Sequence, residues 1–284
     1  MPPKILNGKE TAKQIRIELK KIIPSLSYTP TLAVLLVGED PASAVYVRGK
    51  ERDCQKVGIR ATTIRLPADT DDTTLADRID ALNADPEVDG ILLQLPIPAH
   101  LDAASHLQRI RAEKDVDGFH ICNLGRLFRG DLSGLIPCTP HGIMVLLERT
   151  GVPTRGKHAV ILGRSNIVGR PMAALLMAAD ATVTVCHSRT EDLEQHVRKA
   201  DLLIAAMGVR GVVDPGWVAP GAIVVDVGMH RLEDGSLTGD LDLEPMIDRL
   251  AAYTPVPGGV GPMTRALLLH NTLLAAKARR EQEA

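Results

Sequence analysis

The sequence has few aromatic residues, no closely spaced cysteines and no pattern typical of a metal site. Aromatic side chains make up 2% of its 284 residues, so a core must rely on aliphatic side chains. The four cysteines form no Cys-x-x-Cys pair and the nine histidines no His-Glu-x-x-His pair, which argues against zinc and against a disulfide framework. We therefore expect no metal ion, and the reduced thiols of a cytoplasmic protein.

Charge excess and long apolar runs are lacking as well. The formal net charge is −2, from 33 basic and 35 acidic side chains. The composition therefore lacks the excess of positive charge that is typical of proteins that bind nucleic acid or an acidic membrane. No apolar run approaches the roughly 20 residues of a membrane span. The opening MPPKILNGKE leads into a charged amphipathic segment and not into the apolar core of a secretion signal. We expect a small-molecule partner, with neither nucleic acid nor a membrane.

Segments with helical and strand periodicity alternate along the chain. Residues 31–38 form an apolar run typical of a buried strand, and Asp40 and Pro41 have the N-cap and first-turn chemistry of a helix that reaches about Val57. This alternation predicts largely parallel sheets. The predicted fold class is α/β, with two α/β domains around a cleft, the second a Rossmann-like dinucleotide-binding domain. We expect residues 1–139, completed by 256–284, to form the first domain and residues 140–255 the second.

The stretch HAVILGRSNIVGRPM, residues 158–172, predicts the nucleotide site. An apolar strand turns at Gly163 and enters a helix near Gly169, and a second strand pattern follows at residues 181–190. In dinucleotide-binding folds a phosphate lies at the start of that helix. The glycine spacing is unusual, because Ser165 stands where a second glycine is common. An ordinary strand, turn and helix with surface arginines is the alternative interpretation of the loop alone.

Basic and hydroxyl side chains favour NADP over NAD. NAD-binding proteins usually place an acidic residue after the second strand to hold the ribose hydroxyl, whereas this chain has Ser188 and Arg189 there and Arg164 in the first turn. Guanidinium groups and a hydroxyl suit a 2′-phosphate. We therefore predict NADP as the cofactor.

A tyrosine, a lysine and a glutamine form the first candidate catalytic set. Tyr46 and Lys50 are four residues apart on one predicted helix, so they share a face. Gln94 ends a buried strand pattern, where an amide needs a partner, and Lys50 could be that partner. An amide does not stabilise an ammonium as a carboxylate does, which suits proton transfer. The alternatives are an exposed lysine beside a half-buried tyrosine, and a glutamine bonded only to backbone.

Two further segments could contact a ligand. Asp115 and Asp117 flank Val116 at a glycine turn, where a carboxylate either bonds its own backbone or accepts paired N–H donors of a heterocycle. The loop PVPGGVGPMT, residues 255–264, carries no charge, and its glycines would let a ligand approach the backbone closely. A plain helix-entry loop is the alternative.

Eight segments together resemble the bifunctional methylenetetrahydrofolate dehydrogenase/methenyltetrahydrofolate cyclohydrolase family. They follow the family's order and spacing nearly from end to end: PASAVYVRGK, DGILLQLPIP, KDVDGFH, PCTPHG, GRSNIVGRPM, HSRT, DVG and PVPGGVGPMT. Met229 and His230 depart from the residues that are commoner in that family, as does the segment AAMGVRGVV. The resemblance implies oxidation of 5,10-methylenetetrahydrofolate with NADP⁺ and hydrolysis of the methenyl product to 10-formyltetrahydrofolate. It also implies a homodimer and a place in one-carbon metabolism and purine biosynthesis.

The resemblance also implies roles for particular residues. Lys50 would be the central catalytic group, Tyr46 would stack on the folate ring system, Gln94 would position Lys50, and Asp117 would bind the pterin. Further substrate contacts would come from the C-terminal loop at Pro257, Gly258 and Gly259. The NADP site would be lined by residues of the two nucleotide-domain loops: Gly163, Arg164, Ser165, Ile167, Ser188 and Arg189.

Other protein classes share some of these features. A short-chain dehydrogenase also uses a Tyr-x-x-x-Lys pair, but there the glycine loop precedes the pair, and here it follows. A shikimate-dehydrogenase-like NADP oxidoreductase has the same domain order, yet it lacks the PVPGGVGPMT loop and the strand end with Gln94. A nucleotide-sensing binding module would have no need of a proton-transferring Lys50.

Overall fold

The computed structural model describes residues 2–281 and contains two compact α/β units. Within the described residues, one unit comprises 13–138 and 265–281, and the other 2–12 and 139–264. The helices are α1 (Gly8–Ile22), α2 (Pro41–Val57), α3 (Asp72–Ala84), α4 (Ala103–Arg109), α5 (Ile121–Phe128), α6 (Cys138–Arg149), α7 (Gly169–Ala178), α8 (Leu193–Arg198) and α9 (Val260–Arg280). The strands are β1 (Lys4–Ile5), β2 (Thr31–Val37), β3 (Arg60–Leu66), β4 (Gly90–Leu93), β5 (His158–Leu162), β6 (Thr182–Cys186), β7 (Leu202–Ala205), β8 (Ile223–Asp226), β9 (His230–Arg231), β10 (Leu237–Thr238) and β11 (Ala252–Tyr253).

The unit that begins at residue 13 is built on a three-stranded parallel sheet in the order β3-β2-β4. Every residue of the central strand β2 is buried, which is typical of a parallel strand with helices on both faces. Its core combines Leu35 and Ile91 from the sheet with Leu75 and Ile79 from α3. This arrangement brings the carboxyl ends of β2 and β4 to one edge.

Local chemistry fixes helix α2 at both of its ends. The side chain of Asp40 accepts a hydrogen bond of 2.7 Å from the backbone N–H of Ser43, and Pro41 stands in the first turn. Gly58 ends the helix in the left-handed conformation, with φ of 92°. The start and end of α2 are therefore those that the sequence predicts.

The other unit contains a six-stranded parallel sheet in the order β1-β11-β8-β7-β5-β6. Strand β5 lies between β6 and β7, so the chain reverses its direction across the sheet at β5. Ligands of open α/β sheets bind at such a switch point, beyond the carboxyl ends of the strands. Two α/β units with parallel sheets, one of them Rossmann-like, confirm the predicted fold class.

Some boundaries differ from those expected from the sequence. Residues 2–12 join the nucleotide-side unit because β1 pairs with β11, and that unit ends at residue 264. Residues 113–131 are rich in glycine and charge, yet this segment contains α5, which His120 caps by accepting from the backbone N–H of Cys122 at 3.1 Å. Strand β6 ends at Cys186, so Ser188 and Arg189 lie in the loop that follows. No helix within residues 2–281 has the length and apolar character to cross a membrane.

Candidate active site

Helix α2 and strand β4 bring Lys50 and Gln94 together. The Nζ of Lys50 donates a hydrogen bond of 2.9 Å to Oε1 of Gln94, and both side chains are half-buried. The Nε2 of Gln94 donates to the backbone oxygen of Leu95 at 2.6 Å, which fixes the orientation of the amide. The glutamine therefore presents its oxygen to the amine, as a polar residue at the end of a buried strand predicts. Tyr46 lies one turn before Lys50 on α2 and is 39% exposed.

The loop after residue 113 carries two carboxylates, and that of Asp117 interacts with the charge of Lys50. Asp117 is half-buried, and burial raises the pKa of its carboxyl, while the charge of Lys50 and a hydrogen bond from Cys138 act in the opposite direction. Asp115 is buried, and burial raises the pKa of its carboxyl to about 7. Lys50, Gln94 and Asp117 thus form one charged and hydrogen-bonded group in the unit that begins at residue 13.

Asp115 holds the backbone of the loop that carries Asp117. It accepts backbone N–H groups from Gly118 at 3.1 Å and from His120 at 2.6 Å, and the side-chain amide of Asn123 at 3.2 Å. Of the two interpretations of the Asp-Val-Asp segment, turn chemistry therefore describes Asp115. The carboxylate of Asp117 accepts no such backbone donor among the interactions within residues 2–281, which leaves it available to a ligand.

Cys138 and Asn271 support the same loop, and sequence reasoning did not single them out. The buried thiol of Cys138 has two acceptors within reach, the backbone oxygen of Val116 at 3.2 Å and the carboxylate of Asp117. Asn271 is fully buried and donates to the backbone oxygens of Val116 at 2.9 Å and Ile136 at 2.8 Å. Asn271 and Val116 are 155 residues apart, so local pattern carried no signal for this contact.

The nucleotide-side unit has a cavity beside the turn that follows β5. Its volume is about 450 Å³, and its lining comes from the loops after β5, β6 and β7. The lining residues are Leu162, Gly163, Arg164, Cys186, His187, Ser188, Thr190, Leu193, Met207, Val209 and Val212. Gly163, Arg164 and Ser188, which the sequence assigns to the nucleotide site, are among these residues. Ser165, Ile167 and Arg189 are exposed residues next to them along the chain, outside this lining.

Two glycines allow the turn between β5 and α7. Gly163 has φ of 118°, and a Cβ there would lie 2.2 Å from the backbone oxygen of Ala206. A Cβ on Gly169 would lie 2.1 Å from the backbone oxygen of Gly163. The hydroxyl of Ser165 accepts backbone N–H groups from Val168 at 3.2 Å and Gly169 at 3.4 Å, so it holds the backbone just before and at the first residue of α7. The close packing of this turn, the adjoining cavity and the basic Arg164 fit the phosphates and ribose of a dinucleotide.

The uncharged loop after β11 is held against the start of α1. The backbone N–H of Lys9 donates to the backbone oxygen of Gly258 at 2.9 Å, and a Cβ on Gly8 would lie 1.8 Å from the backbone oxygen of Gly259. Gly259 is buried, whereas Pro257 is exposed. The loop therefore belongs to the nucleotide-side unit. Within residues 2–281 no group of three or more His, Cys, Asp or Glu side chains could hold a metal ion.

Distant relatives share the fold. A shikimate dehydrogenase from Aquifex aeolicus is 13% identical, with a TM-score of 0.51 over 91% of this chain and 95% of that chain. At this identity the likeness concerns the fold alone. The shikimate-dehydrogenase-like alternative is therefore not favoured.

Close relatives and family models identify the chain. The catalytic-domain model of the tetrahydrofolate dehydrogenase/cyclohydrolase family matches residues 6–117, and its NAD(P)-binding-domain model matches residues 137–280. The bifunctional methylenetetrahydrofolate dehydrogenase/cyclohydrolase of Campylobacter jejuni is 46% identical, with a TM-score of 0.95 over 97% of this chain and 99% of that chain. The enzyme of Trypanosoma brucei, solved with NADP and an inhibitor, is 36% identical, with a TM-score of 0.93 over 100% of both chains. The chain therefore belongs to the bifunctional tetrahydrofolate dehydrogenase/cyclohydrolase enzymes, with a catalytic domain and an NAD(P)-binding domain, as its sequence predicts.

Proposed function

We propose that both reactions of this family take place around Lys50. The chain oxidises 5,10-methylenetetrahydrofolate with NADP⁺ and hydrolyses the methenyl product to 10-formyltetrahydrofolate. The single observation that carries the proposal is the 2.9 Å hydrogen bond between Lys50 and the amide oxygen of Gln94. It holds a half-buried amine in a fixed position with a partner that is not a carboxylate.

In the oxidation, positioning matters more than proton transfer. NADP⁺ supplies the hydride acceptor when it is bound. The bridging nitrogens of the substrate stabilise the positive charge that develops as the hydride leaves, so the protein mainly has to orient the folate. Tyr46 would stack on the ring system, and Asp117 would accept N–H groups of the pterin.

The hydrolysis needs proton transfers, which Lys50 can supply. A water oxygen forms a bond to the methenyl carbon, and a C–N bond of the imidazoline ring then breaks to leave the formyl group on one nitrogen. The attacking water must lose a proton, and the departing nitrogen must gain one. The Nζ of Lys50 would carry out these transfers, and Gln94 would keep it in line for both.

The nucleotide site is proposed to use residues of two loops, those that follow β5 and β6. Gly163, Arg164, Ser165 and Ile167 would border the phosphates, and Ser188 and Arg189 would hold the 2′-phosphate. The cavity of about 450 Å³ beside Arg164 and Ser188 supports this placement. In the C-terminal loop, Pro257, Gly258 and Gly259 would meet the substrate.

We also propose a cytoplasmic homodimer that serves one-carbon metabolism and purine biosynthesis. Three of the four cysteines are buried as free thiols, which suits a reducing compartment. The dimer and the pathway rest on the family resemblance. Light scattering of the purified protein tests the dimer, which a monomeric mass at micromolar concentration would contradict.

The experiment that tests the function is a spectrophotometric assay with 5,10-methylenetetrahydrofolate, run first with NADP⁺ and then with NAD⁺. NADPH and the methenyl product are followed together. We expect turnover with NADP⁺ and little accumulated methenyl product, because one site performs both steps. Strong accumulation of the methenyl product would contradict an efficient cyclohydrolase, and absence of turnover with either nucleotide would contradict the function as a whole.

A further inference from the structure

A buried carboxylate ties the loop after β7 to the β9–β10 hairpin. The Oδ2 of Asp240 accepts backbone N–H groups from Met207 at 2.7 Å and Gly208 at 2.9 Å. Its Oδ1 lies 2.7 Å from Nε2 of His230, and the side chain of Asp240 is 0% exposed. Both oxygens of this carboxylate are therefore occupied by donors from two different segments.

A second buried carboxylate fixes the position of Asp240. Asp226, at the end of β8, accepts backbone N–H groups from Gly228 at 2.9 Å, Asp240 at 3.0 Å and Leu241 at 2.9 Å. Two glycines make room for the pair, because a Cβ on Gly228 would lie 2.2 Å from Oδ1 of Asp240, and one on Gly239 would lie 2.0 Å from Oδ2 of Asp226. The two carboxylates are therefore packed closely against the backbone of these glycines.

The loop that Asp240 holds forms one wall of the nucleotide cavity. Met207 lines that cavity together with Val209 and Val212 from the same loop. Gly208 has φ of 71°, so the chain turns sharply at the point where Asp240 accepts its N–H. Residues 209–212 are exposed. The carboxylate of Asp240 therefore fixes this loop where it leaves β7, at Met207 and Gly208.

We propose that Asp240, held by His230, is a positioning residue for nucleotide binding. It sets the shape of the cavity through the backbone of Met207 and Gly208 and does not touch the nucleotide itself. His230 is half-buried, and it occupies the carboxylate oxygen that faces away from the loop. Its replacement would let the carboxylate turn away from the two N–H groups. This inference rests on the proposed function, in that the cavity is taken as the NADP site.

The test uses Asp240→Asn and His230→Ala in the full-length protein, with Asp242→Asn as the matched control, because Asp242 is exposed two residues further on. An asparagine offers one acceptor oxygen where the carboxylate offers two, so one set of contacts is lost. We expect Asp240→Asn to raise the Kd for NADP⁺, measured by calorimetry, by about tenfold or more. The KM for NADP⁺ should rise in parallel while kcat changes little, and His230→Ala should show a smaller change of the same kind.

Hydrolysis of methenyltetrahydrofolate without nucleotide separates a positioning role from a general loss of folding. We expect its rate in both variants to stay within about twofold of the control, since the change is confined to the nucleotide cavity. A fall in hydrolysis equal to the loss of NADP⁺ affinity would overturn the inference in favour of a merely structural role. Unchanged NADP⁺ affinity in both variants would overturn it as well. If the unaltered protein itself fails to bind NADP⁺, the assignment of the cavity fails, and the inference fails with it.

Discussion

Lys50 donates a 2.9 Å hydrogen bond to the amide oxygen of Gln94, and the other end of that amide is fixed to the backbone oxygen of Leu95. The amide cannot turn over without breaking both bonds, so the lysine always meets an oxygen. A neutral acceptor orients the amine without locking it in its charged form. This geometry is the basis for the central role that we propose for Lys50.

Replacing Gln94 by a carboxylate should change the dependence of hydrolysis on pH. Gln94→Glu keeps the acceptor in place but adds a negative charge that favours the ammonium form of Lys50. We expect the acidic limb of the pH–rate profile of hydrolysis, where the amine must lose its proton before it can accept one from water, to move to higher pH by about 1 unit or more. The control is Gln55→Glu, at an exposed position of α2, the helix that carries Lys50. It should leave the pH–rate profile unchanged. An unmoved profile in Gln94→Glu would show that Gln94 does not govern Lys50.

The preference for NADP over NAD should depend on Arg189. Arg189→Ala removes a guanidinium that we place at the 2′-phosphate, where charge-assisted hydrogen bonds are strong. We expect the ratio of kcat/KM for NADP⁺ to that for NAD⁺ to fall by about tenfold to a hundredfold. Arg155→Ala, at a side chain that is 86% exposed, serves as the control. Full NADP preference in Arg189→Ala would exclude Arg189 from the discrimination between the nucleotides.

The turn between β5 and α7 should not tolerate a methyl group. In Gly169→Ala the new Cβ would lie 2.1 Å from the backbone oxygen of Gly163, so the helix must move away from the strand. We expect a loss of about 1–3 kcal/mol in the free energy of unfolding. In α5 the exposed Gly125 has open space around it, and Gly125→Ala should stabilise by about 0.5–1 kcal/mol. Urea unfolding of both variants checks these opposite signs, and equal effects would refute the steric argument.

Asp115 should make stability depend on pH. Burial raises the pKa of its carboxyl from 3.8 to about 7 in the folded protein, so folding favours the protonated form. Its contribution to stability is therefore fully present below pH 3.8 and is lost as the pH rises through about 7, at up to about 1.4 kcal/mol per pH unit.

Comparison of Asp115→Asn with the unaltered protein isolates this contribution. We expect the difference in their free energies of unfolding to be larger at pH 5 than at pH 8, because the asparagine does not titrate. Urea unfolding at several pH values measures the difference, with the exposed Asp69→Asn as the control. A difference that is constant across this range would contradict the shifted pKa.

Helices and strands with strong local sequence signals could be predicted from the sequence. Asp40, Pro41 and Gly58 predict α2 because capping is a property of neighbouring residues. Strands β1 and β11 have only two residues each and no period of their own, and they exist because they pair with each other and with β8. Helix α5 interrupts a segment rich in glycine and charge, where composition favours a loop.

Among the site residues, too, some contacts could be predicted from the sequence and others could not. The contact between Lys50 and Gln94 could be predicted because a polar side chain at the end of a buried strand requires a partner. Asp240 lies 33 residues from Met207 and accepts hydrogen bonds from backbone N–H groups. Because almost every residue has such a group, the sequence does not indicate which ones Asp240 binds. The hydrogen bond of Asn271 could not be predicted either, because its partner Val116 is 155 residues away along the chain. Such supports depend on the tertiary fold, so local pattern does not reveal them.

The most direct test of the central claim is hydrolysis of methenyltetrahydrofolate by Lys50→Met. Methionine keeps much of the apolar stem of lysine and removes the amine, and Lys56→Met is the control at an exposed position of the same helix. We predict that Lys50→Met loses hydrolysis altogether while it remains folded by circular dichroism, and that Lys56→Met hydrolyses normally. A Lys50→Met protein with near-normal hydrolysis would contradict the account, because the proton transfers would then proceed without the amine.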